Sequence, residues 1–369
     1  MKILMVCDYL SGDIEGGSDR IFYEYAKGLK ERNHSVSTAA AGGGNRLLRF
    51  FQAVLGPRRL YGKLSRNGTL DVINFHQPLS AFLILLSKRA KESLRVYTFH
   101  SPWHMEYEIS NRAKGVLCAV NSFFRKHMER FCLSKCDRII TLSEYMKKEA
   151  VKIHNIKPGK ITVIPGGVDT ERFRPPSSKA EARRRLSLPE DKFIILTVRN
   201  FTRRTGLIEL IKACRGILER EGNIILVIVG DGPLKGEMEA VIDRYRLKSG
   251  IIITGFVPNG LLPSYYQASD LFVMPTQKLE GFGLALVEAL SSGLPVLATP
   301  VGGITEVLSG MDKDAFFKDI SQDSLSEGLK RLINDTEARE RMAAKARDYA
   351  RERYSWNNVI PRLEKAFQR

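Results

Sequence analysis

Two carboxylates eight residues apart, Glu280 and Glu288, bracket the stretch Gly281-Phe-Gly-Leu-Ala-Leu-Val287. The apolar run Leu271-Phe-Val-Met274 before them reads as a buried strand. Pro275 ends it, and Thr276 to Glu280 leaves as a loop. Gly281 and Gly283 let the backbone pass close to a ligand, since no Cβ stands in the way. Leu284 through Ser292 has helical character, with Gly293 as its C-terminal cap and Pro295 two residues beyond. A helix that begins near Gly283 directs unpaired N–H groups and a positive dipole end at whatever lies in front of it, which is the chemistry that holds a diphosphate. Glu288, about one turn in, can accept both hydroxyls of a ribose. Glu280, before the turn, stands at the distance of a transferred sugar's hydroxyls. Two glutamates at this spacing also fit an ordinary strand–loop–helix unit with surface carboxylates; the longer stretch decides between the two.

That stretch continues as Gly293-Leu-Pro-Val-Leu-Ala298 and Val301-Gly-Gly-Ile-Thr-Glu306. Taken whole, it resembles the donor site of the retaining, nucleotide-sugar-dependent glycosyltransferases of family 4, which have the GT-B fold. The resemblance covers nearly the whole chain and is strongest over residues 271–306. It implies that the amides around Gly283 and Leu284 hold the donor phosphates, with Gly281 and Phe282 beside them. It implies sugar contacts for Glu280 and ribose contacts for Glu288.

The same resemblance assigns further residues. Gly16-Gly17 matches the family's N-terminal glycine loop, where the backbone approaches the donor; a turn without function is the alternative. Ser18 or Asp19 is expected to cap the helix that follows. His100, in Tyr97-Thr-Phe-His-Ser-Pro-Trp103, stands where the family has a histidine near the reacting sugar. It can bond a hydroxyl while neutral or support a phosphate when charged, and a core histidine is the alternative. His76, Trp103 and His104 are expected on the acceptor side, with Glu106 and Glu108 just after. The family places an Arg and a Lys on the donor diphosphate, and here the segment is Val198-Arg-Asn-Phe-Thr-Arg-Arg-Thr-Gly206. Thr205 occupies the usual Lys place. Arg199, with either Arg203 or Arg204, is expected to supply the charge.

The implied reaction has His100, Glu280 and Arg199 at its centre. Positive groups and helix-end amides stabilise the charge that develops on the leaving phosphate. The acceptor hydroxyl attacks from the same face, and the departing phosphate takes its proton. No protein nucleophile, cofactor or metal is implied. The partners are a nucleotide sugar, such as a UDP- or GDP-sugar, and a glycan, lipid-linked glycan or lipopolysaccharide acceptor.

Strand-like runs alternate with helical stretches from end to end. Lys2–Cys7, Asp71–Phe75, Arg95–Phe99, Arg138–Thr141 and Ile161–Ile164 are the clearest in the first half. Phe193–Val198, Ile224–Val229, Ile251–Thr254, Leu271–Met274 and Pro295–Ala298 are those of the second. The pattern predicts an α/β fold with parallel sheets and helices on both faces. The Pro/Ser-rich Phe173-Arg-Pro-Pro-Ser-Ser178 marks the break. Residues 1–170 are read as a Rossmann-like acceptor domain and 171–352 as a Rossmann-like donor domain facing it across a cleft. Residues 353–369 are read as a helix that crosses back. Ile164-Pro-Gly-Gly-Val-Asp-Thr-Glu-Arg-Phe173 is the interdomain segment, with Asp169 a turn former, and Gly230-Asp-Gly-Pro233 is a further turn.

Composition bounds the rest. At 369 residues, with 43% hydrophobic and 27% charged side chains, the chain is globular and long enough for two cores. Five scattered cysteines are read as reduced thiols. No apolar run is long enough to span a bilayer, and the N-terminus starts directly on a strand, so a cytoplasmic enzyme is expected. Net charge is +17. Through Thr170 there are 27 Lys+Arg against 15 Asp+Glu, an excess of +12, against +5 for the remainder. The first half therefore faces something acidic. Asn45 to Leu70 holds Arg46, Arg49, Arg58, Arg59, Lys63 and Arg66 without an acid. Interleaved with Leu47, Leu48, Phe50, Phe51, Val54 and Leu55, they suggest a basic amphipathic helix on an anionic membrane; a solvated helix packed on its domain is the alternative. An epimerase of the same fold, and a nucleic-acid binder suggested by pI 9.7, are the competing functions. No helix-turn-helix, zinc or stacking-aromatic motif supports the latter.

Overall fold

The structure, a computed structural model, describes residues 1–9, 16–41, 46–110 and 115–368. The chain divides into two compact units, Met1–Gly166 with Trp356–Arg369, and Gly167–Ser355.

The first unit is built on β1 (Lys2–Tyr9), β2 (Ser35–Ala41), β3 (Val72–Phe75), β4 (Leu94–Phe99), β5 (Arg138–Thr141) and β6 (Ile161–Val163). They form one sheet in the order β2-β1-β3-β4-β5-β6, every pair parallel. Central strands covered on both faces need continuous apolar runs, and Val72-Ile-Asn-Phe75 is buried throughout. β2 was not expected from the sequence. It reads Ser-Val-Ser-Thr-Ala-Ala-Ala, with no bulky apolar run, and it pairs only with β1 at the sheet edge.

The second unit is built on β7 (Phe193–Val198), β8 (Ile224–Val229), β9 (Ile251–Gly255), β10 (Leu271–Met274) and β11 (Val296–Ala298). Its order is β11-β10-β7-β8-β9, again all parallel. Strand order reverses between β1 and β3 in one unit and between β7 and β10 in the other. Ligands of such sheets bind beyond the carboxyl ends of the strands at that reversal.

The last helix, Trp356–Ala366, belongs to the first unit. Its buried face is Val359, Ile360 and Leu363. Trp356 meets the Tyr25 ring edge-on at 6.0 Å. A Cβ on Gly28 would fall 2.5 Å from Ile360, so the two helices touch through a bare backbone. Glu364 accepts from Arg32 Nε at 2.7 Å and lies 2.9 Å from His34.

The basic segment forms one helix, Arg46–Arg66, running through Pro57. Ala53, Pro57 and Tyr61, four residues apart, are its buried row, so it packs on its own unit; Asn45 lies outside the described residues. An open apolar stripe occurs on a different helix, Val116–Lys135. Val116, Leu117, Val120, Phe123 and Phe124 are each more than half exposed. Among the described residues no helix is long and apolar enough to cross a membrane, and no disulfide joins the five cysteines.

Candidate active site

The loops that leave β7 and β10, the strands flanking the reversal of the second sheet, carry Arg199 and Glu280. Glu280 is buried. Its Oε2 accepts from Arg199 Nη2 at 2.6 Å and lies 3.9 Å from Arg204 Nη1. Arg199 Nη2 also donates to Thr276 Oγ1 at 3.2 Å, and its buried Nε has no partner. Burial pushes the Glu280 carboxyl up, but Arg199 and Arg204 outweigh it and leave the group below the usual glutamate value. A carboxylate so held is an anion at neutral pH, able to accept from hydroxyl donors, and its arginines have the charge to bind an anion. Leu279, just before it, has φ 56°, a left-handed turn rare for a branched side chain. The Leu279 carbonyl is held by Arg204 Nη1 at 2.9 Å.

The helix expected at Gly283 runs Leu284–Ser291, with Gly283 as its N-cap at φ 96°, ψ 61°. A residue with a Cβ is strained in that conformation. The first-turn amides of Leu284 and Ala285 have no acceptor within the helix by position. The far end closes as expected on Gly293: its N–H reaches Leu290 O at 2.9 Å and that of Leu294 reaches Ala289 O at 3.0 Å. Glu288 is buried, and its Oε2 accepts from Tyr266 OH at 2.8 Å. The Val301–Glu306 turn braces the loop from behind. Gly303 N donates to Glu280 O at 2.9 Å, and Gly302, at φ 59°, comes so near that a Cβ would lie 2.3 Å from that same oxygen.

Of the three arginines considered, the structure brings Arg199 and Arg204 together. Arg203 turns away to Glu237 at 2.8 Å on the surface. Thr205, at the usual Lys place, is buried and donates to Thr202 O at 2.6 Å, so it ties its own turn. The Phe282 ring is buried edge-on to Tyr354 at 5.5 Å. One Asp-x-Asp pair of the kind used for divalent cations does occur, Asp312-Lys-Asp314. Both carboxylates are taken by arginines: Asp312 by Arg341 at 3.1 Å, Asp314 by Arg341 at 2.6 Å and Arg331 at 2.7 Å.

In the first unit, His76 follows β3 and His100 follows β4. His76 Nδ1 lies 3.0 Å from His100 Nε2, and its Nε2 lies 2.7 Å from Asn74 Oδ1. Asn74 Nδ2 faces Thr98 Oγ1 at 3.0 Å and Val96 O at 3.4 Å. A carbonyl only accepts, so that end of the amide donates and Oδ1 faces His76. His76 then donates from Nε2 and accepts at Nδ1 from His100 Nε2. The lone pair of His100 is left on Nδ1. Burial lowers His100 to about 4, and burial with help from His100 holds His76 well below the usual imidazole value. Both rings are held neutral at pH 7, which leaves His100 Nδ1 able to accept a hydrogen bond.

Gly16 is the N-cap of helix Gly17–Glu31 without a side-chain bond. Ser18 and Asp19 therefore sit inside the first turn and neither is the cap. Trp103 lies under Arg125, whose guanidinium is 4.1 Å from the ring. His104 is not on an open surface; it is buried beside Glu129 and His154. Glu106 accepts from Ser101 and Glu108 from Ser122. Tyr266, Thr276 and Asn74 were not anticipated. Each acts through a partner distant in sequence or carries no motif of its own.

Residues 178–349 match the family described as Glycosyl transferases group 1, and residues 15–172 match Glycosyltransferase Family 4. An uncharacterised glycosyltransferase of Methanocaldococcus jannaschii is 30% identical over 292 residues, 78% of this chain and 73% of that one. The lipopolysaccharide 1,2-N-acetylglucosaminetransferase of Salmonella typhimurium is 27% identical over 318 residues, 83% of this chain and 80% of its own. The crystal structure of Anabaena HepE in complex with UDP and glucose superposes with a TM-score of 0.77 at 18% identity, over 99% of both chains. At that identity the superposition establishes the GT-B fold.

Proposed function

The chain belongs to the family 4 glycosyltransferases (group 1), and from that premise we propose that it moves a sugar from a nucleoside-diphosphate donor to a hydroxyl acceptor with retention of configuration. The observation that carries this is the Glu280–Arg199–Arg204 cluster beside the bare N-terminus of helix Leu284–Ser291. The first-turn amides and Arg204, the more open of the two cations, take the diphosphate. Glu280 takes sugar hydroxyls, and Glu288, held by Tyr266, takes the ribose. Charge that grows on the leaving phosphate oxygen is met by groups already in place, which lowers the barrier more than it tightens binding. His100 Nδ1 accepts from a sugar hydroxyl. Arginines and amides do here what a divalent cation does elsewhere, so added Mg2+ or Mn2+ leaves turnover unchanged.

A glycan or lipid-linked acceptor is proposed, in keeping with the substrate named for the Salmonella relative. The exposed stripe of helix Val116–Lys135 supports a membrane-borne acceptor, because Lys126 and Arg130 flank it and the first half carries the larger positive excess. It stands beside the Arg46–Arg66 helix, on which Ala53, Pro57 and Tyr61 are buried, Leu55 is exposed, and the side chains of residues 46–51 lie outside the described ones.

The test is a screen of UDP-, GDP- and ADP-sugars with lipid and glycan acceptors, the product's anomeric configuration being read by NMR. Transfer with the donor's configuration kept is expected. An inverted product, or conversion of the sugar without an acceptor, contradicts the proposal.

A further inference from the structure

Three helices of the first unit, Trp103–Ser110, Val116–Lys135 and Glu144–His154, converge on a buried cluster of His104, Glu129 and His154. One ligating atom of each lies within 4.8 Å of the others. His104 and His154 are 9% and 1% exposed, and Glu129 is 2% exposed. Glu129 Oε2 accepts from the Trp103 N–H at 3.0 Å. His154 Nε2 stands 3.1 Å from that oxygen, yet neither of its ring nitrogens makes a hydrogen bond. His104 Nδ1 is likewise buried without a partner. The two rings meet edge-on, centroids 6.1 Å apart.

Three orphaned imidazole nitrogens in one buried spot are costly. Each buried polar group left unsatisfied keeps its desolvation cost, and folded proteins rarely tolerate them. An ion that takes one lone pair from each ring, beside the carboxylate's charge, satisfies His104 Nδ1 and one nitrogen of His154. Two imidazoles and a glutamate form a set that zinc favours. Tetrahedral zinc about 2.0–2.1 Å from each donor asks for roughly 3.4 Å between donors, within small side-chain rotations of the present spacing. The Trp103 N–H on Glu129 is the outer bond that orients a ligating carboxylate.

We propose that His104, Glu129 and His154 bind one zinc ion, with water in the fourth position. The ion bolts the helix that begins three residues after His100 to two others, and so steadies the segment that carries His100. The site stands apart from the donor-binding unit and does not depend on the reading of that unit.

The test is metal analysis of the full-length protein, expressed in zinc-supplemented medium and purified without chelator. About one zinc per chain is expected. Exchange for Co2+ is expected to give the visible absorption of a tetrahedral ion, and removal of the metal to lower Tm. His154→Ala and the double variant with His104→Ala are expected to lose the metal. Metal-free wild-type protein whose Tm and absorption ignore added Zn2+ and Co2+ overturns the proposal. So does full zinc content in the folded double variant, which places the ion elsewhere. If the variants fail to fold, the wild-type measurements still decide.

Discussion

Glu280 works as an anion, and its neighbours keep it one. Its folded-state acidity lies below the usual glutamate value, so what it contributes is present at neutral pH and lost only as pH falls past the ordinary range near 4.5. Glu288 is held differently, with the neutral Tyr266 hydroxyl among its partners. Tyr266→Phe removes that hydroxyl and leaves the ring, which packs 5.7 Å from Phe272. Nucleoside diphosphate affinity should fall by roughly 3- to 10-fold, the worth of one hydrogen bond at about 0.5–1.5 kcal/mol, as read by calorimetry; kcat at saturating donor should change little. Glu280, Gly283 and Glu288 were legible because they lie within one contiguous stretch whose turn and helix are local. Tyr266 was not, being 22 residues upstream of its partner. The choice between Arg203 and Arg204 was equally closed to sequence, since adjacent residues on a short turn point in different directions.

Elements position these residues, and one of them depends on pH. Helix Pro78–Leu85 starts without a cap from its own chain segment. Asp8, at the end of β1, supplies it: Ser80 N donates at 2.6 Å and Leu79 N at 3.3 Å. Burial nevertheless raises Asp8 to about 6, against hydrogen bonds from Ser80 and Leu79 that lower it. The folded protein therefore keeps this proton where the unfolded chain has released it. The Asp8 contribution to stability is full below about pH 4 and is lost as pH climbs through about 6, by up to about 3 kcal/mol for a shift of this size. Asp8→Asn keeps an acceptor for Ser80 and should abolish that slope in denaturant unfolding between pH 4 and 7; a slope that persists contradicts the assignment. Most strands were legible as short apolar runs bounded by turns, and the helix at Gly283 by its glycines. β2 was not, because small residues at a sheet edge carry no periodic apolar signal.

At the scale of the molecule, charge and exposed apolar surface coincide on the first half. A stripe of Val116, Leu117, Val120, Phe123 and Phe124 needs a covering, and a bilayer with acidic headgroups suits both the stripe and the excess charge. Binding to vesicles containing anionic lipid is expected to weaken sharply with Leu117→Glu and Phe123→Glu, and with added salt. Vesicle binding unchanged in both variants contradicts the assignment. The basic pattern of residues 45–70 was visible in sequence, but which face of that helix packs inward was not.

The central claim is that a nucleoside diphosphate sits at the head of helix Leu284–Ser291 with its ribose on Glu288. Calorimetric titration of UDP, GDP and ADP into wild-type and Glu288→Gln protein tests it directly. One of the three is expected to bind the wild type, and the variant, folded by circular dichroism, to bind it at least about tenfold more weakly, roughly 1.4 kcal/mol. Equal affinity in the two proteins, or no binding of any of the three to the wild type, contradicts the account.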